Sequence, residues 1–286
     1  MKRSDFAALI LTHNRADRVF TYESLRRHGY TGPIMIVIDD SDPSMHEYLE
    51  RFGSEVSIFS KKEVARYTDP GDNFGGLRGV LYARNASFDL ARAKGFRYFI
   101  ALDDDYRSFT FRFDRKLDYN PKACRDLDTV FSSMVEFLEE SGAATVCMAQ
   151  GGDFIGGSEN PCAEKITLSR KAMNSFVCSV DRPFRFMGRI NEDVNAYTAL
   201  GSIGKLFFTT YQVSLGQTQT QTNSGGLTEI YLDLGTFVKS FYSVMYLPSA
   251  VKVKVLQDRG NPRLHHSIAW NNAVPKILRE SHRKGA

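Results

Sequence analysis

Cysteine is scarce in this chain. Only four occur in 286 residues, at positions 124, 147, 162 and 178. No two form a C-x-x-C pair, so neither a zinc site nor a disulfide framework is indicated. Tryptophan occurs once, and Phe and Tyr supply nearly all of the aromatic content. Long apolar runs are missing as well. None reaches the ~18 residues needed to span a membrane. The opening Met-Lys-Arg-Ser-Asp leads straight into an apolar strand too short for a signal core, with no small-residue cleavage site. A cytoplasmic protein with reduced thiols is the expectation. Strong charge of one sign is also lacking. The net charge of +4 does not by itself indicate nucleic acid, although it leaves room for a local basic face.

What is present is an alternation of strands and helices. Residues 6–12 form a short continuous apolar run, as a buried parallel strand does. Residues 14–28 carry Val19, Tyr22 and Leu25 at helical spacing, and Gly29 ends them. Further strands are expected at 33–38, 56–60 and 97–102, with helices at 44–52 and 77–94. That order predicts a doubly wound, mostly parallel α/β sheet with helices on both faces. In such sheets ligands sit beyond the carboxyl ends of the strands. The polar clusters at 12–15, 39–42 and 103–105 all fall there.

The second half is less regular. A helix is expected at 126–140, strands at 145–149, 166–168 and 175–180, a Gly-rich turn at 151–157, and a helix from Asn191 to Leu200. The Gln/Thr tract at 217–222 reads as a loop or an edge strand. No linker or repeat divides the chain. One domain over 1–286 is expected, in two halves, 1–106 and 107–286.

The sharpest chemical signal is Leu102-Asp103-Asp104-Asp105 after a buried strand. Carboxylates at i and i+2 can converge on one cation, and Mg²⁺ and Mn²⁺ favour such oxygen ligands. A metal there would offset a diphosphate's charge. The alternative is an acidic loop capping a helix.

With Leu11-Thr12-His13-Asn14-Arg15, Ile38-Asp39-Asp40-Ser41, Gly79 through Ala83-Arg84-Asn85, and Asn191-Glu192-Asp193, these pieces stand in one order. In that order the chain resembles the GT-A glycosyltransferases, especially the family-2-like nucleotide-diphospho-sugar transferases. The resemblance implies a GT-A fold, with a nucleotide-sugar-binding half at 1–106 and an acceptor-binding half at 107–286, and a DxD metal site. Asp103 and Asp105 would hold Mn²⁺ or Mg²⁺. Thr12, Asn14, Arg15, Asp40 and Asp104 would serve the donor, and Arg84 would meet its diphosphate. Asp193 would take the acceptor proton, with Glu192 as its substitute. Each has a plainer reading: Asn14 as a helix cap, Arg84 as a surface charge, Glu192 and Asp193 as first-turn acids. His265 or His266 would add a metal or diphosphate contact, or lie solvated in a basic loop.

The stretch 187–195, the tract 217–226 and the basic end with His265-His266 are also similar to the phage-type TET/JBP-associated glycosyltransferases. That resemblance implies a UDP-sugar donor and hydroxymethylated pyrimidines in DNA as acceptor, and a host cytoplasm as location. No hydrophobic tail or amphipathic anchor argues for a membrane acceptor. Basic residues near the end, and the arginines and aromatics of 109–116, would suit DNA phosphates and a flipped base. A solvated basic helix is the other reading. A glycan or small-molecule acceptor is the alternative function.

Overall fold

The computed structural model describes residues 3–73, 75–154, 166–217, 238–258 and 261–275. The first half runs β1 (Phe6–Leu11), α1 (Phe20–Arg27), β2 (Ile34–Asp39), α2 (Met45–Phe52), β3 (Val56–Phe59), α3 (Lys61–Ala65), α4 (Leu81–Ala93) and β4 (Tyr98–Asp103). Then come β5 (Tyr106–Phe113), β6 (Tyr119–Ala123), α5 (Leu127–Ser141), β7 (Thr145–Gln150), β8 (Ile166–Thr167), β9 (Ser175–Ser179), α6 (Glu192–Ser202) and β10 (Phe207–Gln217). The last described elements are α7 (Val238–Tyr246), β11 (Val251–Asp258), β12 (Asn261–Ile268) and α8 (Trp270–Ala273).

One large sheet has the order β3-β2-β1-β4-β9-β7-β10-β5-β6. Strands β3, β2, β1 and β4 are all parallel, as their sequences imply. Beyond β4 the sheet is mixed: β9 is antiparallel to β4, β10 is parallel to β7, and β5 runs back against β10. Strand β1 is apolar throughout, and β2 and β4 are apolar up to their terminal aspartates, because both faces are covered. Phe6, Ala8 and Ile10 face a core shared with Tyr48 and Phe131; Ala7, Leu9 and Leu11 face another with Phe88, Phe99 and Phe176. The α/β class with helices on both faces is therefore as expected.

Several boundaries move for local reasons. Asn14 adopts φ 54°, and Ala16–Arg18 forms a 3-10 turn, so α1 begins only at Phe20. Val19, not Asn14, is its N-cap residue. The helix expected at 77–94 starts at Leu81. Asp126 does cap α5, accepting from the Thr129 N–H at 3.1 Å.

The larger corrections lie in the second half. Of residues 109–116, expected among nucleic-acid contacts, 109–113 belong to an internal antiparallel strand, while Arg115 and Lys116 are exposed. Phe109 is fully buried, and Arg112 is committed to Ser214, Tyr119 and the ring of Phe154. The basic stretch 251–268 is a β-hairpin where a solvated helix was one reading. Residues 155–165, 218–237 and 276–286 lie outside the described residues, and with them most of the Gln/Thr tract, Cys162, Lys276, Arg279, Arg283 and Lys284. Cys124, Cys147 and Cys178 are buried and unpaired with one another.

Candidate active site

The register places the site. In the β1–β4 pairing Leu11 stands opposite Asp103, so residues 12–15 and 103–105 leave the sheet side by side. Thr21, in the first turn of α1, fixes the acidic turn from below. Its Oγ1 donates to the Asp103 carbonyl at 2.6 Å and accepts from the Tyr106 N–H at 2.9 Å. Its own N–H donates to the Asp104 carbonyl at 3.1 Å.

The three aspartates then diverge in role. Asp104 points inward and is 4% exposed. It accepts from Thr12 Oγ1 at 2.7 Å and from Arg15 Nη1 at 3.2 Å. Thr12 is itself 2.7 Å from the Tyr48 hydroxyl. Asp104 therefore clamps the 12–15 loop to the acidic turn. Asp103 and Asp105 remain partly exposed. Asp103 accepts from the Tyr106 hydroxyl at 3.0 Å and from Arg84 Nη2 at 3.1 Å. Burial, then the negative charges of Asp103 and Asp104, push the Asp105 carboxyl up to about 6. The turn thus gathers more negative charge than its partners neutralise. With only oxygen donors and two accessible carboxylates, it fits a hard divalent cation.

Arg84 links this turn to the second acidic pair. It is 3% exposed, donates Nε to Glu192 Oε1 at 2.9 Å and Nη2 to Asp103 Oδ1 at 3.1 Å, and lies over the rings of Phe176 and Phe186. It is not a surface charge, and two of its three nitrogens are already engaged. Burial raises the Glu192 carboxyl, and Arg84 pulls against that rise. Asp193 is the more accessible of the pair. Its Oδ1 accepts from the Val194 N–H at 2.8 Å, and burial raises its carboxyl too.

The start of α6 is set by Asn191, at φ 56°. Its Nδ2 donates to the Lys239 carbonyl at 2.6 Å and to Ser243 Oγ at 3.3 Å, tying α6 to α7. Arg189, 2% exposed, holds Asp72 and the carbonyls of Gly76 and Arg78. This fixes the segment that leads into α4 and Arg84.

A third polar group stands at the ends of β1 and β2. His13 Nδ1 lies 2.9 Å from Asp39 and 3.3 Å from Asp42, and Lys61 Nζ lies 2.7 Å from Asp39. Although His13, Asp39 and Asp42 are close enough to share an ion, cationic groups already occupy the place. The two carboxylates hold the His13 imidazole up to about 9. Burial acts to raise Asp39, but hydrogen bonds from His13, Lys61 and Ser41 outweigh it and hold the carboxyl well below its usual range. Asp40, by contrast, is exposed, with Oδ1 on the Lys61 N–H. Asn14 is exposed as well, its N–H on Asp42 and its Oδ1 on Ser44.

The two late histidines are adjacent but differ. Their rings lie 4.3 Å apart. His265 is partly exposed, whereas His266 is 7% exposed and neither ring nitrogen has a partner among the described residues. Burial, with His265, Lys171 and Lys239, pushes His266 down to about 3. Sequence reading passed over Lys171 and Lys239, which also act on Asp193. No local motif marks either one. Tyr106, directly after the acidic triplet, was legible but unassigned.

The acidic turn that ends β4 and the acidic pair that opens α6 are joined through the buried Arg84. The chain matches the TET-Associated Glycosyltransferase family over residues 6–226 and belongs to it; it is a glycosyltransferase. No curated protein matches the chain. Among solved structures it is similar to glucosyl-3-phosphoglycerate synthase from Mycobacterium tuberculosis, in complex with Mn²⁺, UDP and phosphoglyceric acid. That similarity is 10% identity over 96% of this chain and 88% of the other, TM-score 0.45. It is also similar to a mannosyltransferase from Pyrobaculum calidifontis in complex with GDP-Man and Mn²⁺, at 12% identity over 86% and 75% of the two chains, TM-score 0.46. Among the described residues no helix is long and apolar enough to cross a membrane.

Proposed function

We propose that this glycosyltransferase moves a sugar from a nucleotide diphosphate sugar, a UDP-sugar by preference, to the hydroxymethyl group of a pyrimidine base in DNA. The observation that carries the transfer chemistry is Arg84 bridging Asp103 and Glu192, which brings the two acidic motifs together. The family description supports the acceptor.

In this reading Asp103 and Asp105 hold Mn²⁺ or Mg²⁺, which supplies charge balance for the departing diphosphate. Thr12, Arg15 and Asp104 act as one unit that shapes the donor loop, while the exposed side chains of Asn14 and Asp40 meet base or ribose. Arg84 orients Asp103 and Glu192. Asp193 accepts the proton of the acceptor hydroxyl as that oxygen bonds to the anomeric carbon. The carbon–oxygen bond to the diphosphate breaks, and its electron pair leaves with the diphosphate. Asp193 suits this role better than Glu192 because it is more exposed and carries no arginine.

The test is incubation of the protein with radiolabelled UDP-sugars, Mn²⁺ and oligonucleotides that contain or lack 5-hydroxymethylcytosine or 5-hydroxymethyluracil. Label on hydroxymethylated DNA only, lost in Asp193→Asn, supports the reading. Donor turnover without label on any DNA points to a glycan or small-molecule acceptor.

A further inference from the structure

One side of helix α7 holds two other parts of the chain. Lys239, Tyr242, Ser243 and Tyr246 recur at i, i+3, i+4 and i+7, which places them along one face of the helix. Through the Lys239 carbonyl and the Ser243 hydroxyl this face holds Asn191, the residue before Glu192 and Asp193. Through its two tyrosines it holds the loop between α3 and α4. The Tyr246 hydroxyl donates to Asp69 Oδ2 at 3.2 Å, and the Tyr242 hydroxyl donates to Asp72. Helix α7 is itself packed against α6 and against the hairpin of β11 and β12.

That loop is in turn stitched to the segment that leads into α6. The Gly188 N–H donates to the Asp69 carbonyl at 2.8 Å, and the Arg189 N–H to the Pro70 carbonyl at 2.7 Å. The buried Arg189 guanidinium takes Asp72 Oδ2 at 3.0 Å and the carbonyls of Gly76 and Arg78 at 2.9 and 3.0 Å. Asp69 and Asp72 are therefore each shared between a tyrosine of α7 and the 188–189 segment. The fit is close. A Cβ at Gly188 would overlap the Tyr246 ring and the Asn195 amide, and one at Gly71 would overlap the Tyr246 hydroxyl. Burial, then the charge of Asp69, raises the Tyr246 phenol, so at neutral pH it donates rather than ionises. The acidic turn at 103–105, by contrast, has supports that do not involve α7, in Thr21 and Tyr106.

We propose that Tyr242 and Tyr246 are positioning residues for the transfer step: from α7 they fix the 188–191 segment and so set the first turn of α6 against the acidic turn. This rests on reading Asp103, Asp105 and Asp193 as the transfer centre. The tyrosines act through Asp69, Asp72 and Arg189. Asp193 takes a proton only within hydrogen-bond reach of the acceptor, and a displacement of ~1 Å costs about a hundredfold in rate. Donor binding at Asp103 and Asp105 keeps its own supports. Loosening α7 therefore lowers kcat and leaves the donor KM nearly as it was.

The experiment compares the full chain with Tyr242→Phe/Tyr246→Phe, which keeps both rings and removes both hydroxyls. Hydrogen exchange, read without any ligand, follows the amides of Gly188 and Arg189. In the Phe pair they should exchange about tenfold faster or more, while the amides of β1 and β4 keep their wild-type rates. Release of UDP from UDP-glucose, with Mn²⁺ and a hydroxymethylated oligonucleotide, should show kcat down by about tenfold or more and a donor KM within about threefold of wild type. Wild-type exchange at both amides overturns the proposal. So does faster exchange with unchanged kcat, or a kcat loss matched by an equal rise in donor KM. If the Phe pair does not fold, Tyr246→Phe alone is read in the same way. A wild-type protein that turns over no UDP-glucose removes that pairing of donor and acceptor, and exchange at Gly188 and Arg189 then decides alone whether α7 sets the start of α6.

Discussion

Replacing Arg84 by methionine tests the internal frame of the cleft. The methionine keeps most of the side-chain volume against Phe176 and Phe186 but removes the charge that Asp103 and Glu192 share. Glu192 is 7% exposed, so it is left as a buried carboxylate without its cation. Breaking a buried pair from one side costs about 3–5 kcal/mol. At about 2.1 cal/mol/K of unfolding entropy per residue, that is roughly 5–8 °C in Tm for this chain. The pH dependence has a definite sign. Burial already raises Glu192 with Arg84 in place, and removing the guanidinium raises it further. A carboxyl whose folded pKa exceeds its unfolded value binds its proton more readily when folded. The stability deficit is therefore largest above neutral pH and shrinks as the pH falls toward 5. Melting curves of the wild type and Arg84→Met in metal-free buffer at pH 8 and pH 5.5 measure both parts. A variant that melts within a degree of wild type at pH 8, or whose deficit does not narrow at pH 5.5, refutes the argument.

Two further outcomes follow from local geometry. His13 is raised to about 9 by Asp39 and Asp42, so its stabilising contribution is complete below about 6.5, the unfolded value, and is lost as pH rises through 9. Because His13 is half exposed, that contribution is about 1 kcal/mol, and the Tm advantage over His13→Gln should vanish by about pH 10. Gly29 has φ +83° and lies against the Arg125 carbonyl, so Gly29→Ala has neither the backbone freedom nor the space it needs. It should lower the urea midpoint by an amount equivalent to about 2 kcal/mol or more, read by circular dichroism.

The first half of the fold was legible because β1, β2 and β4 are apolar runs that each lead into a polar cluster. Phe6–Leu11, Ile34–Asp39 and Tyr98–Asp103 differ from the expected ranges by a residue at either end. The second half resisted for identifiable reasons. Strand β10 is broken in register between Thr210 and Ser214 against β7, so no single period runs through it. In β5 the arginines and aromatics look like a ligand surface, yet Phe109 packs inward while Arg112 satisfies neighbours in the same sheet. The site was legible as residue types but not as connections. Nothing in the spacing tells that Asp104 faces Thr12 and Arg15 while Asp103 faces Arg84. Lys171 and Lys239 act on Asp193 from two segments far apart in the chain, one before β9 and one in α7, which no local spacing links.

The central claim is that Asp103 and Asp105 form a metal-dependent site for a nucleotide diphosphate sugar. Its most direct measurement is calorimetric titration of UDP and UDP-glucose into the protein, with Mn²⁺ and with EDTA, repeated on Asp103→Ala/Asp105→Ala. Binding that requires Mn²⁺ and disappears in the double variant, while the variant still melts cooperatively, is the predicted result. Nucleotide binding of equal strength in EDTA, or unchanged in the double variant, would contradict the claim.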